Sequence, residues 1–256
     1  MQYRKFWEGM PMRIYVAGDG AREAYLRQIM QAAGHTPVGR GPAELAVLEL
    51  PRSHLPEAGL DIACGRFVCG LTEPAFDALA AERKWEIFRP LRDEEYALEN
   101  ARLSADGAVS AAMRRMPFAL GDSTCLVIGY GRIGRALTGM LRGLGARVIV
   151  AARRAESRLE AGEGSVPLEG LAQALPKADV IFNTVPALVL PRERLALARP
   201  DALLLELASA PYGFDLLLAR KLGLRAELES GIPGRYCPRT AAKILWRYIE
   251  REVLRK

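Results

Sequence analysis

A chain of 256 residues exceeds one small core and falls short of three domains, at roughly 150 residues per domain. Half of it is apolar and 26% is charged, which excludes a disordered chain, a collagen-like repeat and a small disulfide scaffold. No stretch approaches the ~18 consecutive apolar residues of a membrane helix, and the net charge of +6, from 36 basic and 30 acidic residues, suits small anions better than nucleic acid. No run of five like charges occurs, and no aromatic residues interleave with basic ones as on a base-stacking surface.

The first eighteen residues have no signal-peptide core, so the chain is expected in the cytoplasm. Its four cysteines, Cys64, Cys69, Cys125 and Cys237, are then reduced thiols. Cys64 and Cys69 follow His54 without further ligands at tight spacing, so no metal site is expected. His35 and His54 are the only histidines, which excludes a histidine-based triad or metal centre later in the chain.

Arg13–Ala17 reads as a strand, Gly18-Asp19-Gly20 as a break, and Arg22–Ala33 as a helix with Leu26, Ile29, Met30 and Ala33 at helical spacing. Ala43–Leu50 and Leu60–Cys64 read as two buried strands, Glu73–Arg83 as a helix and Trp85–Phe88 as a strand. This alternation predicts a small α/β domain. Ser104–Arg115 reads as a helix with Ser104 as N-cap and Pro117 as its stop. The boundary is expected there, giving an N-terminal α/β domain over 1–117 and a second domain over 118–256.

The second half is more regular. Thr124–Ile128 is an apolar strand, followed by Gly129-Tyr-Gly131-Arg-Ile-Gly134, a helix over Arg135–Leu144 and a strand over Ala146–Ala151. A short strand near Val166, a helix over Leu168–Leu175, and strands over Asp179–Asn183, Ala202–Leu207 and Leu224–Leu228 follow. Helices are expected over Gly213–Leu222 and Arg239–Leu254. Apolar strands in repeated βα units predict a doubly wound, Rossmann-like parallel sheet covered on both faces. The last helix carries Ala242, Leu245, Trp246, Ile249 and Val253 near one side. That stripe is expected to pack back on the N-terminal domain, with a homodimer as the alternative.

The glycine motif stands between a strand and a helix, where a dinucleotide site requires it. Gly129 permits the tight turn, Gly131 lets the backbone approach a pyrophosphate, and Gly134 lets helix and strand close up. The N–H groups of Arg132 and Ile133 face the phosphates. About 20 residues further on, an NAD site would carry a carboxylate for the ribose 2′-hydroxyl. The sequence has Ala151-Ala-Arg153-Arg154 instead. A guanidinium there pairs with a 2′-phosphate, so NADP is expected, with NAD as the alternative. Arg153 is the first choice for that contact and Arg154 the second. Thr184-Val185-Pro186, Ala208-Ser209 and Gly231 follow three strands at their carboxyl ends and are expected to border the nicotinamide.

The stretches LVIGYGRIGRAL (126–137), GARVIVAARR (145–154), ADVIFNTVP (178–186), LLLELASAPYG (203–213) and GIPGRYCPRTAAKIL (231–245) resemble the A subunit of dipicolinate synthase. The last is the most family-specific. GDGAREAYLRQI (18–29) resembles that family's N-terminal GDxR stretch. ENARLSADGAV (99–109) resembles its Asn…Pro-Thr-x-Glu-Gly segment, with Asn100 and Gly107 kept, Asp106 in place of glutamate and Leu103-Ser104 in place of Pro-Thr. The stretch from Leu50 to Leu98 is shorter than in typical members.

The resemblance implies a two-domain, NADP-dependent enzyme of bacterial spore formation that oxidises dihydrodipicolinate to dipicolinate in a cleft between its domains. It also implies a second, flavoprotein-like subunit as partner. Such a dianionic substrate calls for cationic groups, and Arg22, Arg102 and Arg235 are the candidates. Asp106 is the candidate base and Asn100 a second catalytic candidate. A D-2-hydroxyacid dehydrogenase would need a late histidine, and a shikimate dehydrogenase a Lys–Asp pair early in the chain; neither pattern is present. The remaining alternatives are a nucleotide-binding sensor or scaffold without activity and a related dehydrogenase of another small carboxylic acid.

Overall fold

The computed structural model describes residues 11–39, 41–54 and 65–254. Two units emerge: Ala101–Ile232 forms one, and the chain up to Asn100 together with the segment from Pro233 onward forms the other. The chain passes between them inside two helices rather than at the turn after Pro117.

The discontinuous unit holds a parallel sheet in the order β2-β1-β3-β4-β5. Its strands are β1 (Arg13–Val16), β2 (Thr36–Val38), β3 (Leu45–Val47), β4 (Arg66–Val68) and β5 (Glu86–Phe88). Helix α1 (Ala21–Ala32) joins β1 to β2, α2 (Pro74–Glu82) joins β4 to β5, and α3 (Glu94–Met113) leads out of the unit. Phe67, Phe76 and Trp85 form an aromatic cluster with ring centroids 4.6–6.1 Å apart. The strand expected over Ala43–Leu50 is the three-residue β3. The one expected over Leu60–Cys64 lies outside the described residues and, where those resume, β4 begins at Arg66. Strand β2 carries Pro37, which argues against a strand in general but is tolerated at a sheet edge, where no ladder partner needs its missing N–H.

Two expectations about α3 are corrected. The helix begins ten residues before Ser104, because Asp93 Oδ1 accepts the Tyr96 N–H at 2.9 Å and Glu94 and Glu95 occupy its first turn, where negative charge is favoured. Ser104 is therefore not a cap; it is buried in mid-helix.

The other unit holds six parallel strands in the order β11-β10-β9-β6-β7-β8. They are β6 (Thr124–Ile128), β7 (Arg147–Ala151), β8 (Ser165–Val166), β9 (Val180–Asn183), β10 (Leu203–Glu206) and β11 (Arg225–Leu228). Helices α4 (Arg132–Gly143), α5 (Ala155–Ala161), α6 (Leu171–Ala174), α7 (Arg192–Leu195) and α8 (Leu216–Lys221) connect them. The order reverses between β6 and β9, as in a Rossmann sheet. The four residues of β9 and of β10 are all buried, as a sheet covered on both faces demands. The helix expected from Gly213 starts only at Leu216, because Asp215 caps it by accepting the Leu217 and Leu218 N–H groups at 2.8 and 3.0 Å. The expected Leu168–Leu175 helix is a single α turn between two 3-10 turns.

After β11, the short helix α9 (Ile232–Tyr236) and then α10 (Pro238–Ile249) return the chain to the first unit. There α10 packs on α1, and Ala242, Leu245, Trp246, Ile249 and Val253 are all buried, so the apolar stripe is covered within the chain. His35 lies edge-on to Trp246 at 5.4 Å, and its Nδ1 accepts the Met12 N–H at 3.3 Å, which requires the neutral ring. Burial holds its pKa below the ordinary 6.5, with a smaller opposing pull from Glu250. A depressed histidine stabilises the fold fully above its unfolded pKa, and that stability is lost as pH falls through the folded value. The melting temperature should therefore decline as pH is lowered from 6.5. His35→Gln, which keeps an acceptor but does not titrate, should flatten that part of the profile; an unchanged slope would remove His35 as the cause.

Candidate nucleotide site

The strand-order reversal brings together the carboxyl ends of β6 and β9, the crevice where dinucleotides bind in open α/β sheets. The three glycines after β6 behave differently. Gly129 has φ +96°, and a Cβ there would lie 2.4 Å from Thr184 Oγ1 and 2.8 Å from Val185 Cγ2. A Cβ on Gly134 would lie 2.2 Å from the Gly129 carbonyl oxygen, so α4 is packed against the turn itself. Gly131 precedes the first residue of α4, and the position of its missing Cβ meets no heavy atom within 4 Å. Two glycines thus serve close packing while the third leaves open space at a helix N-terminus, where backbone N–H groups point outward along the helix axis. This cradle fits a pyrophosphate.

At the end of β7, Arg153 and Arg154 are both exposed, and Arg154 is the residue before α5. Arg158, one turn into that helix, donates to the carbonyls of Ala152 and Arg153 at 2.9 and 2.8 Å. It holds the backbone that presents Arg153, a role that no motif in the sequence marks. Arg135, in the first turn of α4, lies over the Tyr130 ring at 5.0 Å.

The loops after β9 and β10 are tied together by two residues to which the sequence reading gives no role. Asn183 and Glu206 are register partners, and both are wholly buried. Asn183 Nδ2 donates to both carboxylate oxygens of Glu206, at 2.7 and 2.9 Å. The N–H groups of Ala208 and Gly213 donate to the same carboxylate at 2.9 and 2.8 Å. Asn183 also takes the Val185 N–H at 3.2 Å and gives a hydrogen bond to the Val185 carbonyl at 2.9 Å. Burial raises the Glu206 pKa, and its hydrogen bonds pull in the opposite direction. Thr184, whose Oγ1 donates to the Ile128 carbonyl at 2.9 Å, faces the glycine turn. Pro186 and Ser209 are exposed. Gly231, with φ +59°, has open space at its Cβ position. A glutamate inside the apolar run LLLELAS is the available signal, since a charge there must find partners.

Arg22, expected on the substrate, is buried on α1. It is paired with Glu23 Oε1 at 2.5 Å and donates to the Leu50 carbonyl at 3.2 Å. In its sheet the order reverses between β1 and β3, and Arg22 spans the segments that follow those strands. A Cβ on Gly234 would lie 3.8 Å from Arg22. Arg235 is exposed, with its guanidinium 5.4 Å from the Tyr236 ring centre. Arg102 and Asp106 stand one turn apart on the exposed face of α3, while Asn100 is half-buried. Asp106 is twelve residues into α3, too far in to act as a cap or dipole partner.

The comparisons with known proteins agree with this geometry. Residues 88–212 match the D-isomer specific 2-hydroxyacid dehydrogenase NAD-binding domain. The A subunit of dipicolinate synthase from Bacillus subtilis (strain 168) is 30% identical over 179 residues, 69% of this chain and 60% of that protein. The match thus spans less than two thirds of its curated relative. Two crystal structures of dipicolinate synthase share the fold. The A subunit from Bacillus halodurans has a TM-score of 0.81 and 22% identity, covering 93% of this chain and 96% of the other. Its counterpart from Bacillus subtilis has a TM-score of 0.80 and 21% identity, covering 94% and 95%. The resemblance in the motifs and the expected α/β, Rossmann-like fold are both borne out. Among the described residues, no helix is long and apolar enough to cross a membrane.

Proposed function

From a chain that carries this NAD-binding domain and is similar to the A subunit of dipicolinate synthase, we propose an NADP-dependent dehydrogenase that oxidises dihydrodipicolinate to dipicolinate. The observation that carries the reading is the cradle at the β6–β9 crevice, with Arg153 and Arg154 exposed where an NAD site would carry a carboxylate. The bound cofactor supplies the hydride acceptor. The chain's own residues do the rest. Arg132 and Ile133 present N–H groups to the pyrophosphate, and Arg153 pairs with the 2′-phosphate, with Arg154 beside it. Thr184, Val185, Pro186, Ala208, Ser209 and Gly231 border the nicotinamide.

The substrate loses a hydride and a proton and becomes aromatic, so the protein has mainly to position the ring. Asp106 takes the proton, and Arg102, one turn away on the same helix face, holds a carboxylate; Asn100 orients the substrate. Arg235 and Arg22 are further anion contacts. A second, flavoprotein-like subunit is the proposed partner. A cytoplasmic location is part of this reading. The pairing of Arg22 with Glu23 favours a second reading, in which the chain binds nucleotide as a sensor or scaffold without turnover.

An anaerobic assay separates the two. The protein is mixed with freshly generated dihydrodipicolinate and NADP, with and without the flavoprotein partner, and NADPH and dipicolinate are followed together. Equal amounts of both products are expected. Binding of NADP with neither product under either condition would leave the sensor reading in place.

A further inference from the structure

The carboxylate of Glu206 is wholly buried, yet it is the point on which both loops of the proposed nicotinamide side converge. We propose that Glu206 is a positioning residue: it clamps Thr184–Pro186 and Ala208–Gly213 into the shape that receives the nicotinamide half of the cofactor. The proposal rests on the placement of the nicotinamide at these loops given above.

A charged side chain among four leucines is costly to bury unless it is fully paired. Here the pairing is one-sided, because the side-chain amide of Asn183 and the backbone N–H groups of Ala208 and Gly213 are all donors. Only a group that accepts on both oxygens satisfies them together, and a carboxylate does so where an amide does not.

The clamp has two outputs. Through Asn183 it closes the turn that carries Thr184 and Val185, the two residues against which Gly129 is packed. Through Ala208 and Gly213 it fixes both ends of the Ser209–Tyr212 loop. Gly213 in turn accepts the Val189 and Leu190 N–H groups at 2.9 Å each, which holds the far end of the segment after Pro186. The arrangement leaves no slack at Gly213, since a Cβ there would lie 2.2 Å from Asn183 Nδ2. The Arg153 end lies outside this network, and the pyrophosphate turn meets it only where Gly129 packs on Thr184 and Val185, so the nicotinamide half of the cofactor should respond far more than the other half to its loss.

The test compares NADPH with 2′-phospho-ADP-ribose, which lacks the nicotinamide, in binding titrations on the full chain. Glu206→Gln should weaken NADPH by about tenfold or more, a difference of about 1.4 kcal/mol, and leave the fragment within about twofold. Equal weakening of both ligands, or of neither, would overturn the proposal. Asn183→Asp guards against a variant that merely unfolds. It keeps the size of the side chain and sets a second carboxylate against Glu206, so NADPH affinity should be low near pH 8 and recover towards about pH 6 as the pair takes up a shared proton. A pH-independent loss in Asn183→Asp would also overturn the clamp. Wild-type protein that binds NADPH no tighter than the fragment would instead sink the nicotinamide placement itself, and the proposal with it.

Discussion

Gly134→Ala is expected to abolish most dinucleotide binding and to destabilise the Rossmann unit by about 1–3 kcal/mol, the usual cost of forcing an extra methyl into packed structure. The added Cβ would fall 2.2 Å from the carbonyl oxygen of Gly129. That atom is backbone and cannot swing away, so α4 must move off the turn and carry its N–H groups with it. Gly131→Ala is the contrasting variant. Its Cβ enters space that no protein atom occupies, so stability should be unchanged while pyrophosphate affinity falls. Thermal melts and nucleotide titrations on the two variants separate packing from ligand approach; equal melting temperatures would show that Gly134 is not there for contact.

Arg153→Asp is expected to weaken NADP more than NAD by about 1–3 kcal/mol, the scale of a hydrogen bond between charged groups. The side chain is exposed at the end of β7 and its backbone is held by Arg158, so the fold should tolerate the change. The substituted carboxylate would repel a 2′-phosphate and accept from a 2′-hydroxyl, which gives the effect its sign. Equal losses for both cofactors would retire the assignment and move attention to Arg154.

What is legible in the sequence follows from how local the causes are. Thr124–Ile128, the glycine motif and Arg147–Ala151 are recognisable because a buried parallel strand must be continuously apolar and the turn after it must carry glycine. The stripe on α10 is recognisable for the same reason. The start of α3 is not, because its cap, Asp93, lies in a charged stretch without apolar periodicity, while Ser104 imitates a cap in the middle of the helix. Strand β2 is hidden by Pro37, whose acceptability depends on its being at the edge, a fact of tertiary order. Glu206 and Asn183 are visible as letters, but their partnership depends on a register between strands that sequence spacing does not contain.

The chain leaves the first unit within α3 and re-enters it within α9, so one unit is continuous along the chain and the other is not. On a ribosome, the part made first is then the last to be completed. The helix α1 emerges early but must wait for α10, its packing partner, until the whole of 101–232 has been translated. Closing that contact spans a long loop, which slows assembly unless the loop has already collapsed. The inserted Rossmann unit, complete in itself, folds in the interval and shortens the distance that remains to be closed. A nascent chain that pauses before α10 therefore holds a complete Rossmann unit while the first unit still lacks the helix that covers α1, and nucleotide captured at that stage would stabilise the intermediate on which final assembly depends.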